Sequence, residues 1–162
     1  MRMLSHLFDQ AMDAKTQIPS VQKVNTRYLE TLIGYNARRA ALAIIGVFMD
    51  RMRLYDLRPV DFSVLSLIAH NPGITSRQLC ASLGLQAPNL VGMISTMEKR
   101  QLIHRLPHPQ DGRATGLHPS AEGLAMMRSA EKTAAQLESE TADRLSPEER
   151  KTLIALLKKV YK

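Results

Sequence analysis

Apolar residues recur at helical spacing from Pro59, at Phe62, Leu65, Ile68 and Ala69, until Asn71-Pro72-Gly73 breaks the pattern. Proline suits a first helical position, where the N–H it lacks would have no partner, so Pro59 marks a helix start. A second short helix is predicted after Thr75-Ser76-Arg77-Gln78, a hydroxyl-x-x-amide capping box. Leu79 and Leu83 carry its apolar face, and Gly84 ends it. A third helix from about Pro88 turns Leu90, Ile94 and Met97 inward and leaves Asn89, Gly92, Ser95, Thr96 and Lys99 on the opposite side. The period then shortens. Residues 102–106 and 114–118 are predicted to pair as strands around a tip at 107–113, with Asp111-Gly112 as the turn signal.

On either side of this segment the pattern is helical again. Residues 31–55 contain no proline, and 40–49 are apolar nearly all round, which predicts a helix buried on more than one side, with a second chain supplying the extra surface. Ser120 can cap a long helix bearing Leu124, Met127, Ala134 and Leu137. Ser146-Pro147-Glu148-Glu149 opens another, with a cap, a first-turn proline and acids at the positive helix end. Leu153, Leu156, Leu157 and Val160 form its apolar stripe. Near the start, Leu4, Leu7, Phe8 and Met12 suggest a short amphipathic helix, interrupted at Ile18-Pro19-Ser20, that reads either as an interface arm or as a mobile end. The fold class expected is mainly α with a small two- or three-stranded β-wing, a winged helix-turn-helix with a helical dimerisation region. Residues 1–57 form the arm and dimerisation helix, 58–119 the winged helix-turn-helix and 120–162 the C-terminal dimerisation helices, all within one structural domain.

Charge sharpens this picture. The 162 residues carry a net charge of +7, which favours a polyanionic partner. Between Phe62 and Pro119 only Glu98 and Asp111 are acidic, against Arg77, Lys99, Arg100, Arg105 and Arg113, so the acid-poor stretch coincides with the helix-turn-helix. Hydrophobic content of 44% fits a folded chain. The single cysteine, Cys80, cannot form an internal disulfide and is expected to pack as a small apolar residue in a reducing cytoplasm. No secretory signal or stretch long enough to span a membrane is evident, so a cytoplasmic location is expected.

Small polar groups on a third helix, after a turn ending in glycine, suit a major groove. Gln86 and Asn89 are amides able to bond bidentately to adenine, and Ala87 and Val91 can meet thymine methyls. Pro88, Gly92, Ser95, Thr96 and Lys99 complete the candidate DNA-facing set on this helix. Thr75, Ser76 and Arg77 at a helix start are candidate phosphate clamps. Arg113 ends the wing tip, where an arginine suits a narrow minor groove, and Asp111 is expected to orient the wing arginines through Arg105. Catalysis is not expected: there is no Gly-x-Ser-x-Gly, phosphate loop or paired carboxylate in an evident cleft, and no cofactor is called for. His104, His108 and His118 match no standard zinc spacing, so no metal is assigned.

The run Met97-Glu98-Lys99-Arg100-Gln101-Leu102-Ile103-His104-Arg105, followed by Asp111-Gly112-Arg113 and Ser120-Ala121-Glu122-Gly123, resembles the MarR family of bacterial transcriptional regulators over roughly residues 32–160. The family's usual form has an acid and basic pair, a glycine, aliphatics and an arginine, then an Asp-x-Arg wing tip and a Ser/Thr-x-x-Gly helix start. Three positions depart from it: Gln101 stands for the glycine, Gly92 for a contact residue and Pro119 for an aliphatic. The resemblance implies an obligate homodimer that binds a pseudo-palindromic operator in double-stranded DNA, usually as a repressor. It also implies release by a small, often aromatic, acid. Tyr35, Asn36, Arg38, Arg39, Ser66 and His70 are the candidate lining of that effector cleft. Two alternatives stand beside this reading: a winged helix used as a protein-interaction module, and a metal-sensing regulator using the wing histidines.

Overall fold

The computed structural model describes residues 23–108, 111–141 and 143–162. By contact the chain falls into two compact units, Met1–Ala37 and Arg38–Lys162. In the first, helix α1 (Arg27–Glu30) is short, and the Asn36 amide donates to the Glu30 and Leu32 carbonyls at 2.8 Å each. The expected amphipathic helix around Leu4 to Met12 lies outside the described residues. Helix α2 runs over Ile33–Met52.

The second unit is assembled around helices α3 (Pro59–His70), α4 (Ser76–Leu83) and α5 (Ala87–Lys99). Strands β1 (Ile74–Thr75), β2 (Ile103–His108) and β3 (Asp111–Pro119) form an antiparallel sheet in the order β1-β3-β2. The local signals act where the sequence places them. The Thr75 hydroxyl accepts the Gln78 N–H at 3.3 Å while Gln78 Oε1 accepts the Thr75 N–H at 2.9 Å, closing the capping box of α4. Gly84 ends α4 in the left-handed region at φ 63°. The helices meet through Val64, Leu65 and Ile68 of α3, Leu79 of α4, and Leu90, Ile94 and Met97 of α5, all buried.

Helix α6 (Ala121–Thr141) closes this core with Met127, Ala130 and Leu137. Its start is fixed by Ser120, whose hydroxyl accepts the Gly123 N–H at 2.9 Å and donates to the Gln101 carbonyl at 2.6 Å. A Cβ on Gly123 would overlap the Leu102 carbonyl oxygen, so the last residue of Ser120-Ala121-Glu122-Gly123 must be glycine for steric reasons. Phe48 of α2 packs edge-on against Phe62 of α3, ring centroids 5.4 Å apart, and the Tyr55 hydroxyl lies 3.0 Å from that of Thr133 on α6. Helix α7 (Pro147–Tyr161) opens on the expected box, with Ser146 Oγ accepting the Glu149 N–H at 3.2 Å.

Two expectations are corrected here. The strands are longer than the pattern implied, and Asp111-Gly112 lies inside β3 rather than at the turn. The ladder steps from Pro107↔Thr115 to His108↔Asp111, so residues 112–114 form an irregular insertion in β3 and the strands rejoin beyond it. Within one chain α2 leaves open the surface that a second chain is expected to supply: Leu42, Ile44, Ile45 and Met49 are between 42% and 49% exposed, and Met52 is its only buried residue. The physical reason is geometric. The core of the second unit offers one surface to α2, and a helix apolar all round has more faces than that surface can cover.

Candidate nucleic-acid interface

Helix α5 presents one continuous outer face. Gln86 is its N-cap and spends only its backbone there, the carbonyl accepting from Asn89 N–H at 3.1 Å and Leu90 N–H at 3.2 Å; its side chain makes no cap hydrogen bond. Gln86, Pro88, Asn89, Val91, Gly92, Thr96 and Lys99 are all exposed, and Ser95 is half-buried. The amides therefore stand at the helix start with their donors and acceptors directed away from the capping task. The Thr96 hydroxyl donates back to the Gly92 carbonyl at 3.0 Å, which leaves its oxygen as an acceptor. At the start of α4, Ser76 and Arg77 are exposed. Thr75 is committed elsewhere, since both its N–H and its hydroxyl donate to Gln78 Oε1 at 2.9 Å. Of the three candidate clamps, Ser76 and Arg77 are the two that are exposed.

The wing adds a pairing between its own arginine and α5. Arg105 is oriented by Glu98 of α5: its Nε and Nη2 donate to the two carboxylate oxygens at 2.7 and 3.0 Å. Register explains the choice, because Arg105 pairs across the sheet with Leu117 and so lies beside the end of α5 rather than at the tip. The hydrogen bonds from Arg105 hold the Glu98 carboxyl below the usual carboxylate range, and the same pair raises the Arg105 guanidinium. The backbone of Asp111 and Arg113 belongs to β3; their side chains lie outside the description. His104 and His118 face each other across β2 and β3 with rings stacked at 5.8 Å. Among the described residues no group of three or more His, Cys, Asp or Glu could hold a metal ion.

An exposed helix start carrying two amides, a helix beside it offering Ser76 and Arg77, and a two-stranded arm make a surface suited to duplex DNA. The MarR family model matches residues 57–115, which span α3 to the middle of β3. The transcriptional regulator HosA of Escherichia coli O111:H- is 30% identical over 107 residues, covering 66% of this chain and 79% of that protein. A regulatory protein assigned to the hcr operon of Thauera aromatica is 28% identical over 131 residues, covering 80% and 79%. Among solved structures, the transcriptional repressor CouR bound to a 23-mer DNA duplex superposes with a TM-score of 0.81 at 30% identity, covering 86% of this chain and 99% of that one. The chain belongs to the MarR family. It is a DNA-binding winged helix-turn-helix regulator of transcription and not an enzyme.

The candidate effector residues of this MarR-family chain are divided between the two units, Tyr35 and Asn36 in the first and Arg38, Arg39, Ser66 and His70 in the second. Ser66 and His70 on α3 both bind one carboxylate: Ser66 Oγ donates to Glu131 Oε1 at 3.3 Å, and His70 Nε2 lies 2.6 Å from the same atom. Glu131 on α6 is therefore the shared partner of both side chains. Arg38 and Arg39 are exposed on α2. Tyr35 and Asn36 belong to the first unit, where the Asn36 amide ties the start of α2 back to the Glu30 and Leu32 carbonyls. No described helix is long and apolar enough to cross a membrane. Cys80 packs half-buried against the core.

Pairing alone was too coarse to find two residues. Arg100 donates to the Tyr55 and Asp56 carbonyls at 2.7 Å each, tying the end of α5 to the turn after α2. Glu98 is the carboxylate that fixes Arg105. Both lie in the basic run Glu98-Lys99-Arg100, and the signal that could have separated them is helical phase. Lys99 falls on the exposed side of α5, while Glu98 and Arg100 flank it and are half-buried.

Proposed function

We propose that this regulator is a homodimeric repressor that reads a pseudo-palindromic operator with two copies of α5 and leaves it on binding a small carboxylic acid. The observation that carries the reading is the outer face of α5, where Gln86, Asn89 and Val91 are exposed on a helix whose inner face is fully packed. Ser76, Arg77 and Lys99 supply backbone contacts, Pro88, Gly92, Ser95 and Thr96 complete the surface, and Arg105 and Arg113 carry the wing. Assembly into a dimer is supported by the apolar residues that α2 and α7 leave in water: Leu42, Ile44, Ile45, Leu153, Leu156 and Leu157. Repression is supported by the likeness to CouR, a transcriptional repressor solved on DNA.

A salt-dependent gel shift on DNA upstream of the gene tests this reading. Specific binding with a footprint of two half-sites centred roughly 10 bp apart supports it; a single unpaired half-site, or no binding to any neighbouring intergenic fragment, contradicts it. For the effector, Arg38 and Arg39 are the groups fitted to hold a carboxylate by paired hydrogen bonds, because Ser66 and His70 already hold Glu131. Aromatic carboxylates should displace the operator from wild type and not from the Arg38→Ala/Arg39→Ala double variant. Equal displacement from both proteins would move the acid site elsewhere.

A further inference from the structure

Between α4 and the start of α5 lies an open crevice of about 320 Å³ lined by Ser76, Arg77, Cys80, Ala87, Leu90 and Val91. Its floor is Leu90, which is 1% exposed, and its outer wall is Val91, which is 63% exposed. Cys80 also lines it, half-buried against the core. The polar groups, Ser76 and Arg77, come from the first turn of α4. Such a crevice is a poor home for water, which needs two to four polar partners. A valine this exposed, one position before a glycine with open space where its Cβ would be, stands up as an apolar step on a helix face otherwise furnished with amides and small residues.

Resting on the proposal that α5 reads an operator, we propose that this crevice receives the 5-methyl group of one thymine in each half-site, with Val91 as the residue that sets the preference. In the major groove that methyl is the one apolar group a base pair displays, so an apolar recess beside base-reading amides matches thymine and no other standard base. Position supports the same occupant. Gln86, the N-cap of α5, immediately precedes Ala87 of the lining, and Arg77 at its polar rim has the reach and charge for the phosphate that follows the thymine. Recognition of this kind requires no hydrogen bond from the protein to that base. It is therefore separable from amide readout.

The test removes the methyl from the DNA and leaves the protein untouched. Duplexes selected by the protein from a random pool are remade with each thymine in turn replaced by deoxyuridine in both half-sites, and affinity is read by fluorescence anisotropy at one fixed salt concentration. One symmetric thymine position should show a loss of about fourfold per half-site, the effect of withdrawing one buried methyl, while the other positions stay unchanged. Val91→Ala should bind the thymine duplex more weakly and no longer distinguish thymine from deoxyuridine at that position. Deoxyuridine tolerated at every position, or a penalty that persists in full in Val91→Ala, overturns the inference while leaving operator binding intact. Failure to select any duplex from the pool overturns both this inference and the operator reading.

Discussion

Gln101 holds its backbone at φ 57°, in the left-handed region that a side chain occupies at a cost of about 1 kcal/mol. The strain sits where α5 gives way to β2, and the Gln101 carbonyl is held there by the Ser120 hydroxyl at 2.6 Å, so the joint is fixed by its surroundings rather than by local preference. Gln101→Gly should therefore stabilise the protein by about 0.5–1 kcal/mol, the relief being partly offset by the extra freedom glycine gives the unfolded chain. A rise in the denaturation midpoint checks this, and an unchanged or lowered midpoint contradicts it. Glu98 makes a pH-dependent contribution of defined sign. Its folded-state carboxyl titrates below the usual carboxylate range because Arg105 donates to it, so the stabilisation is present at neutral pH and fades as pH falls through that depressed value. The stability difference between wild type and Glu98→Gln should thus be largest near pH 7 and shrink on acidification. A difference that is constant with pH would remove the ion pair as its cause.

At the scale of elements, the sequence was most legible where a short-range signal fixes a boundary. Pro59, the Thr75 to Gln78 box, Gly84, Ser120 and Ser146 each start or stop a helix where expected, because caps and glycine turns act through the backbone within four residues. The inner face of α5 was legible for a similar reason: three buried positions at helical spacing leave only one face outward. What depends on register was not. Asp111-Gly112 is as good a turn signal as any, yet the pairing of His108 with Asp111 places it within a strand, and the Arg105 partner follows from that same register. The partner of Ser66 and His70 was hidden for another reason, since Glu131 lies 61 residues from His70 and only folding brings the two together. Helix α7 carries the prediction that belongs to this scale. Its apolar stripe, with Leu153, Leu156 and Leu157 between 44% and 54% exposed, should be covered in solution by a second copy of the chain. Removing residues 145–162 should give monomeric or insoluble protein without operator binding by sedimentation and gel shift; a soluble, operator-binding truncation would place the dimer contact elsewhere.

For the molecule as a whole, net charge and local chemistry assign different tasks to different surfaces. The +7 charge favours any nucleic acid, whereas the outer face of α5 is the part able to prefer one sequence over another. Contacts from the wing should weaken all duplexes together: Arg113→Ala should lower affinity broadly and reduce the slope of log affinity against log salt by about one unit. A contact from Asn89 should act on the operator alone. The most direct measurement is therefore the affinity of wild type, Asn89→Ala and Arg113→Ala for the operator and for a scrambled duplex across a salt series. If α5 is the reader, Asn89→Ala costs about 1–3 kcal/mol on the operator, leaves scrambled DNA nearly unchanged and relaxes preference at one base pair per half-site. If Asn89→Ala binds the operator as wild type does while Arg113→Ala alone abolishes discrimination, specificity comes from groove shape sensed by the wing, and the assignment of α5 as the reading element is wrong.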